Sequence, residues 1–243
     1  MAAAGPIIVV TRAMPGAAET EARLREQGLK TASAPMLALK PLPAPNLPNA
    51  ASLSGLVFTS ANGVRTYADI RSDRNLTAWC VGPATARAAS EAGFSDIRES
   101  AGNAADLVKF IAGQSPPSQA PLLHIANAAA AGNLKQGLED RGYSVRFEAL
   151  YEMRAATALP AAFAALIQST EPVVILIHSA KGATALSHLC PDPFPTNWTI
   201  AAISDQAAAP LATKTQTPVV IADTPNEDGL MAALTSVVAT LSA

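Results

Sequence analysis

Disulfide and metal chemistry have little to work with in this sequence. Of 243 residues only two are cysteines, Cys80 and Cys190, and three are histidines, His124, His178 and His188. The cysteines are far apart and form no CxxC pair. Cys80 sits in the strand-like AWCVG, where a thiol reads as a small buried hydrophobe. His178, His188 and Cys190 have no second ligand pair at metal spacing, so no metal site is expected. Basic runs are absent: 17 basic residues against 19 acidic ones leave a net charge of −2. Nucleic acid and anionic membrane surfaces are therefore poor partners. No apolar run reaches the roughly 18 residues of a membrane span. The opening MAAAGPIIVVTR lacks a basic n-region and reads directly into a strand, so no signal peptide is expected either. These absences together predict a cytoplasmic protein. Glycine-rich nucleotide fingerprints are missing too. VGPATA carries one glycine where a dinucleotide turn wants three, and no GxxxxGK[ST] occurs, which disfavours a dinucleotide cofactor or a P-loop.

What is present is apolar and periodic. The composition is 49% hydrophobic, 15% charged and 5% aromatic, as expected of an α/β protein with an aliphatic core. The length suits one large domain or two of about 120 residues. IIVVTR (7–12) reads as a buried parallel strand, followed by a helix in PGAAETEARLREQG with Ala18, Ala22 and Leu24 as its apolar positions and Gly28 as its stop. TASAPMLALKPL (31–42) reads as one extended segment, ended by proline-rich KPLPAPNLPNA. PLLHIA, NLKQGLEDRG and YSVRFEALYEMR (121–154) repeat the order strand, helix, strand. Leu24 and Gly28 recur as Leu138 and Gly142, 114 residues on.

A second unit is also repeated. LVFTSANGVRTY (56–67) and VVILIHSAKGATAL (173–186) each run an apolar strand into a Ser-x-x-Gly turn and a helix, with Ser60 and Ser179 separated by 119 residues. AWCVGPATARAASEAGF and AGNAADLVKFI find counterparts in IAAISDQAAAPLATK (200–214) and DTPNEDGLMAAL (223–234). Asn103 and Leu107 fall on Asn226 and Leu230 at an offset of 123. The chain thus reads A–B–A′–B′, an internal duplication whose drift in offset matches loop insertions. Strands alternating with helices of 10–15 residues predict doubly wound parallel sheets. A cleft between the copies would be the natural place for function.

The turns after the strands carry the candidate chemistry. Ser60, Thr85, Ser179 and Ser204 each lie where a strand meets a helix N-terminus, and each alone reads as a helix cap. Several such turns at the carboxyl ends of strands in one fold, however, form anion sites from backbone N–H groups and hydroxyls. They point to a ligand rich in carboxylates or phosphates.

The ordered set VTR (10–12), GLVFTSANGV (55–64), CVGPATARAASEAGF (80–94), GNAADL (102–107), LEDRGYSVRFEALYEM (138–153), IHSAKGA (177–183) and AISDQAAAPLA with VVIADTPNEDGLMAAL resembles the uroporphyrinogen-III synthase family over nearly the whole chain. The resemblance implies two α/β domains joined by two adjacent linker strands. Residues 1–35 with 156–243 would form one, residues 42–148 the other, and 36–41 with 149–155 the linkers. It implies cyclisation of the eight-carboxylate linear tetrapyrrole hydroxymethylbilane to uroporphyrinogen III. Water is lost and ring D is inverted through a spiro intermediate, with no cofactor. By motif match the family's functional tyrosine falls on Tyr151, and Thr85 matches a position facing the cleft; the resemblance implies that these two are the catalytic residues. Arg12, Ser60, Asn62, Gly82, Asn103, Ser179, Gly182 and Ser204 match substrate-binding positions. A monomer is expected, with hydroxymethylbilane handed over transiently by the preceding deaminase. Where relatives carry a glycine and a basic residue, this chain has Ala128 to Ala131, so a carboxylate contact on that side is expected to be weakened or supplied by Lys135.

Two other readings remain at this level. A two-lobed binding or sensor protein for a polycarboxylate would share the fold and convert nothing. A serine hydrolase would need a base for Ser60 or Ser179, but His178 points away from Ser179 in an extended strand and no GxSxG elbow occurs.

Overall fold

The computed structural model describes residues 5–43, 47–130, 133–212 and 217–241. The chain opens with β1 (Ile7–Val10), α1 (Gly16–Glu26), β2 (Lys30–Ser33) and β3 (Leu37–Pro41). It continues with β4 (Gly55–Phe58), α2 (Ala61–Ile70), β5 (Ala78–Val81), α3 (Gly82–Glu91), β6 (Ile97–Ser100) and α4 (Ala104–Gln114). Next come β7 (Leu122–Asn127), α5 (Asn133–Glu139), β8 (Val145–Ala155) and α6 (Ala161–Leu166). The last stretch is β9 (Val173–Ile177), α7 (Ala180–Leu189), β10 (Trp198–Ala202), α8 (Asp205–Ala208), β11 (Val219–Ile221) and α9 (Glu227–Leu241).

Two compact units result, one of residues up to Leu39 together with Arg154 onward, the other of Lys40–Met153. The chain passes from one to the other within β3 and again within β8. The first unit holds a five-stranded sheet in the order β11-β10-β9-β1-β2, and the second a six-stranded sheet in the order β3-β8-β7-β4-β5-β6. The pairs β1–β2, β1–β9, β9–β10 and β10–β11 are parallel, as are β4–β5, β4–β7, β5–β6 and β7–β8. Among the described strands only β3 runs against its neighbour. Leu42 N–H donates to the Leu150 carbonyl and Ala156 N–H to the Met36 carbonyl, both at 2.9 Å, which is antiparallel spacing.

Each sheet is covered on both faces, and β9 shows why. Its five residues VVILI are fully buried. Val173, Ile175 and Ile177 face a core with Phe163, Leu186 and Trp198, while Val174 and Leu176 face Leu24, Leu230 and Leu234. Each such side chain contributes about 1.5–3 kcal/mol when buried, and a strand with no polar face is stable only between two helical layers. In the second unit Leu56 and Phe58 pack with Val64, Tyr67 and Phe94, while Val57 packs with Leu107, Ile111 and Leu138 on the other side.

The duplication is visible in matched details. The helix ending at Leu24-Arg25-Glu26-Gln27-Gly28-Leu29 closes with Gly28 N–H on the Arg25 carbonyl and Leu29 N–H on the Leu24 carbonyl. The copy at Leu138–Tyr143 makes the same two bonds, and so does Ala89–Phe94. Gly28, Gly142 and Gly93 have φ of 75°, 86° and 90°, the left-handed conformation this C-terminal motif requires. Asn103 and Asn226 likewise cap α4 and α9: Asn103 Oδ1 accepts from Ala105 and Asp106 N–H, and Asn226 Oδ1 from Gly229 N–H.

Two local expectations are corrected. Residues 31–42 hold two strands rather than one, β2 and β3, although Ala34 and Met36 N–H on either side of Pro35 still bond the Val10 and Thr11 carbonyls. In α1 the buried face is Gly16, Ala17, Thr20, Glu21 and Leu24, and Ala18 and Ala22 are exposed. The stripe was misphased because two of its members are polar: Thr20 bonds Glu227, and Glu21 pairs with Arg25 at 2.6 Å.

Candidate active site

In each sheet there is one place where successive connections leave in opposite directions. In the first unit it lies between β1 and β9, in the second between β7 and β4. The carboxyl ends of strands at such a point are where open α/β sheets bind ligands.

In the second unit this point is built from Ser60 and Tyr151. Ser60, at φ −159° and ψ 149°, caps α2, its Oγ accepting from Asn62 N–H at 3.1 Å. The same Oγ lies 2.9 Å from the Tyr151 hydroxyl. Tyr151 arrives there through a bulge. Ala126 of β7 pairs with Ala149, but Asn127 pairs with Tyr151, leaving Leu150 as the extra residue. Leu150 is turned into the core with Leu123 and Ile125, and Ala128 N–H holds the Tyr151 carbonyl at 2.8 Å. Gly63 lets α2 approach β7 closely, since a Cβ there would sit 3.0 Å from the Ile125 carbonyl oxygen. Tyr151 is 3% exposed. Burial pushes its phenol up, against a smaller lowering from the Ser60 hydrogen bond, so the hydroxyl is protonated at neutral pH.

In the first unit the corresponding point is ionic. Arg12, just after β1, gives Nη1 to Glu227 Oε2 at 2.9 Å and to Thr20 Oγ1 at 3.3 Å. Thr20 donates to Glu227 Oε1 at 2.6 Å, and His178, just after β9, brings Nε2 to 3.4 Å from Glu227 Oε2. Burial alone would raise the Glu227 carboxyl. The contacts from His178 and Thr20 and the charges of His178 and Arg12 overcome it and hold Glu227 at about 2.

The sequence profile described as Uroporphyrinogen-III synthase HemD matches residues 18–232 of this chain. The chain belongs to the uroporphyrinogen-III synthase family. Its fold is similar to that of the uroporphyrinogen-III synthetase of Helicobacter pylori, at 17% identity and a TM-score of 0.66 over 96% of this chain and 99% of that one. A mutant uroporphyrinogen III synthase from the extremely thermophilic bacterium Thermus thermophilus is similar at 17% identity and a TM-score of 0.53, covering 97% and 98%. Among curated proteins none matches the chain in sequence. Family and fold together support uroporphyrinogen-III synthase activity, a step of tetrapyrrole and heme biosynthesis, and with it an enzyme acting on a small molecule.

The structure places the residues singled out in the sequence in different settings. Ser60 and Tyr151 are brought together, with Asn62 in the first turn of α2 and half-buried. Ser179 and Ser204 are caps: Ser179 Oγ accepts from Gly182 N–H and Ser204 Oγ from Ala207 N–H, each at 3.2 Å. Gly82, at φ 70°, opens α3, and Asn103 is exposed with its Oδ1 engaged by α4. Thr85 is different. The cap of α3 is Val81, whose apolar side chain makes no cap bond, and Gly82 and Pro83 start the helix, so Thr85 is not a cap but sits inside the first turns, 4% exposed. Lys135 pairs with Glu139 at 3.7 Å. Of the alanine run, Ala128 and Ala129 turn on Asn127, whose Oδ1 accepts from Ala129 N–H, and Ala131 lies outside the described residues.

Glu227 and Thr20 escaped the reading of the sequence. The available signal was Asn226 as a cap, which places Glu227 at the first position of a helix, where a carboxylate is favoured by the helix dipole. Among the described residues no cluster of three His, Cys, Asp or Glu is placed to hold a metal, and no helix is long and apolar enough to cross a membrane.

Proposed function

We propose that this chain acts as a lyase, closing hydroxymethylbilane to uroporphyrinogen III with Tyr151 as the proton donor. The observation that carries this is the buried, protonated Tyr151 hydroxyl held 2.9 Å from Ser60 at the switch point of its sheet. Tyr151 O–H protonates the departing hydroxyl of the bilane, the C–O bond breaks, and water leaves an azafulvenium cation. The substituted carbon of ring D attacks that cation, giving the spiro intermediate, which reopens and recloses with the ring inverted. The proton lost from the pyrrole carbon on final closure restores the balance.

The eight carboxylates need many donors and few charges. The N–H groups opening α2 behind Ser60 and α7 behind Ser179 present partial positive charge, as does the turn at Ser204. Asn62, Gly82, Asn103 and Gly182 add polar and backbone contacts, Thr85 a hydroxyl, and Arg12 a guanidinium, suited to a carboxylate through two N–H groups. The functional domains are 1–35 with 156–243 and 42–148, linked by 36–41 and 149–155. The enzyme works as a cytoplasmic monomer and receives its bilane from the preceding deaminase. The test is direct: freshly generated hydroxymethylbilane is added and the products are resolved by isomer. Conversion to the type III isomer supports the reading, and spontaneous type I alone refutes it.

A further inference from the structure

The Arg12 guanidinium is fastened along one side only. Nη1 makes both of its hydrogen bonds, to Glu227 and to Thr20, while Nε and Nη2 make none among the described residues. The side chain is 33% exposed. Its position is tight: a Cβ on Gly16 would come within 2.5 Å of Nε and 2.7 Å of Nη2. Glu227 is fixed in turn by Thr20 on α1, with His178 Nε2 3.4 Å away at the end of β9, so one carboxylate ties α1 and the end of β1 to α9. The same contacts hold the Glu227 carboxyl down to about 2, so it is ionised at neutral pH.

We propose that Glu227 is a positioning residue: acting through Arg12 Nη1, it holds the guanidinium so that the Nε–Nη2 side is ready for a substrate carboxylate. This rests on the reading that Arg12 meets a carboxylate of the bilane. Arginine recognises carboxylates with a planar two-point fork, and a fork that is already oriented loses less rotamer freedom on binding. An internal carboxylate on one side supplies that orientation, and on the Nε–Nη2 side Gly16, having no Cβ, leaves the room a ligand would need.

The experiment is a double-mutant cycle with fresh hydroxymethylbilane as substrate, reading KM and kcat separately. Arg12→Gln is expected to raise KM about 10-fold or more, the scale of a charged contact. Glu227→Gln is expected to raise KM roughly 3- to 10-fold with kcat within about 2-fold, the scale of one side chain losing its orientation. The double variant should be no worse than Arg12→Gln alone. Thr20→Val removes one tether of Glu227 and the longer contact to Arg12 Nη1 without removing charge, and should raise KM in the same direction by less. It carries the test if Glu227→Gln does not fold. If Glu227→Gln or Thr20→Val leaves KM unchanged or lowers it, reduces kcat alone, or multiplies with Arg12→Gln, the positioning role is overturned while Arg12 keeps its contact. If Arg12→Gln itself leaves KM unchanged, the carboxylate contact fails and the positioning role with it.

Discussion

Among the described residues the Tyr151 hydroxyl has one hydrogen-bond partner, and that partner is already committed to a helix. Ser60 Oγ accepts from Asn62 N–H and meets Tyr151 at 2.9 Å, so the phenol is oriented by a rigid group. Tyr151→Phe removes the proton donor and is expected to cost on the order of 10²-fold in rate, with an unchanged circular dichroism spectrum. Thr85→Ala, which would remove about one hydrogen bond to the substrate, is expected to cost roughly 2- to 12-fold. If Tyr151→Phe stays more active than Thr85→Ala in matched assays, Tyr151 packs and does not donate. A second residue-scale expectation concerns His124 of β7, 3% exposed, stacked edge-on with Phe147 and with neither ring nitrogen hydrogen-bonded among the described residues. Burial lowers its pKa from 6.5 to about 4. The folded state therefore binds fewer protons than the unfolded chain between those values, so stability is present above pH 6.5 and is lost as pH falls toward 4, by about 3 kcal/mol if the full shift counts. His124→Leu should flatten urea-unfolding stability across that window, and an unchanged slope would show that other groups carry it. At this scale Ser60 was legible as the cap of α2, whereas the Arg12–Glu227 pair was not, because its partners are 215 residues apart and no spacing rule connects them.

The elements owe their positions to caps and glycines that the sequence states openly. Asn103 and Asp106 form a reciprocal capping box at α4, and Gly63 gives α2 its approach to β7. Gly63→Ala is expected to destabilise by about 1–3 kcal/mol, as overpacking does, because the atom it meets is a backbone carbonyl that side-chain rotation cannot move. Thermal or urea unfolding reads this directly, and a neutral result would mean that α2 can shift away from β7. Strong strands such as β9 and β4, and helices stopped by Gly28 and Gly142, were readable for the same reason: their signals are local. The break at Pro35, the phase of α1 and the bulge at Leu150 were not, since each depends on a partner element. Thr20 is buried because Glu227 reaches it from α9, and Leu150 is turned inward because β7 fixes the register.

At the scale of the whole molecule, the same strand order recurs in both sheets, β2-β1-β9-β10-β11 in one and β8-β7-β4-β5-β6 in the other. Matched caps at Asn103 and Asn226, and matched helix ends at Gly28 and Gly142, identify the two as copies. Duplication gives each unit a switch point with helix N-termini, and the chain has let them diverge. One carries a hydroxyl pair, Ser60 and Tyr151, and the other an ion cluster around Glu227. Hydroxymethylbilane closes by itself, without inversion, so the enzyme's contribution is to bring the substituted carbon of ring D to the cation first, a positioning effect. Isomer composition reports that positioning without depending on absolute rate. Fresh hydroxymethylbilane should therefore be incubated with the protein, oxidised to porphyrins and separated chromatographically: the account predicts type III in large excess over type I, and type I formed at the rate of the protein-free control would contradict it.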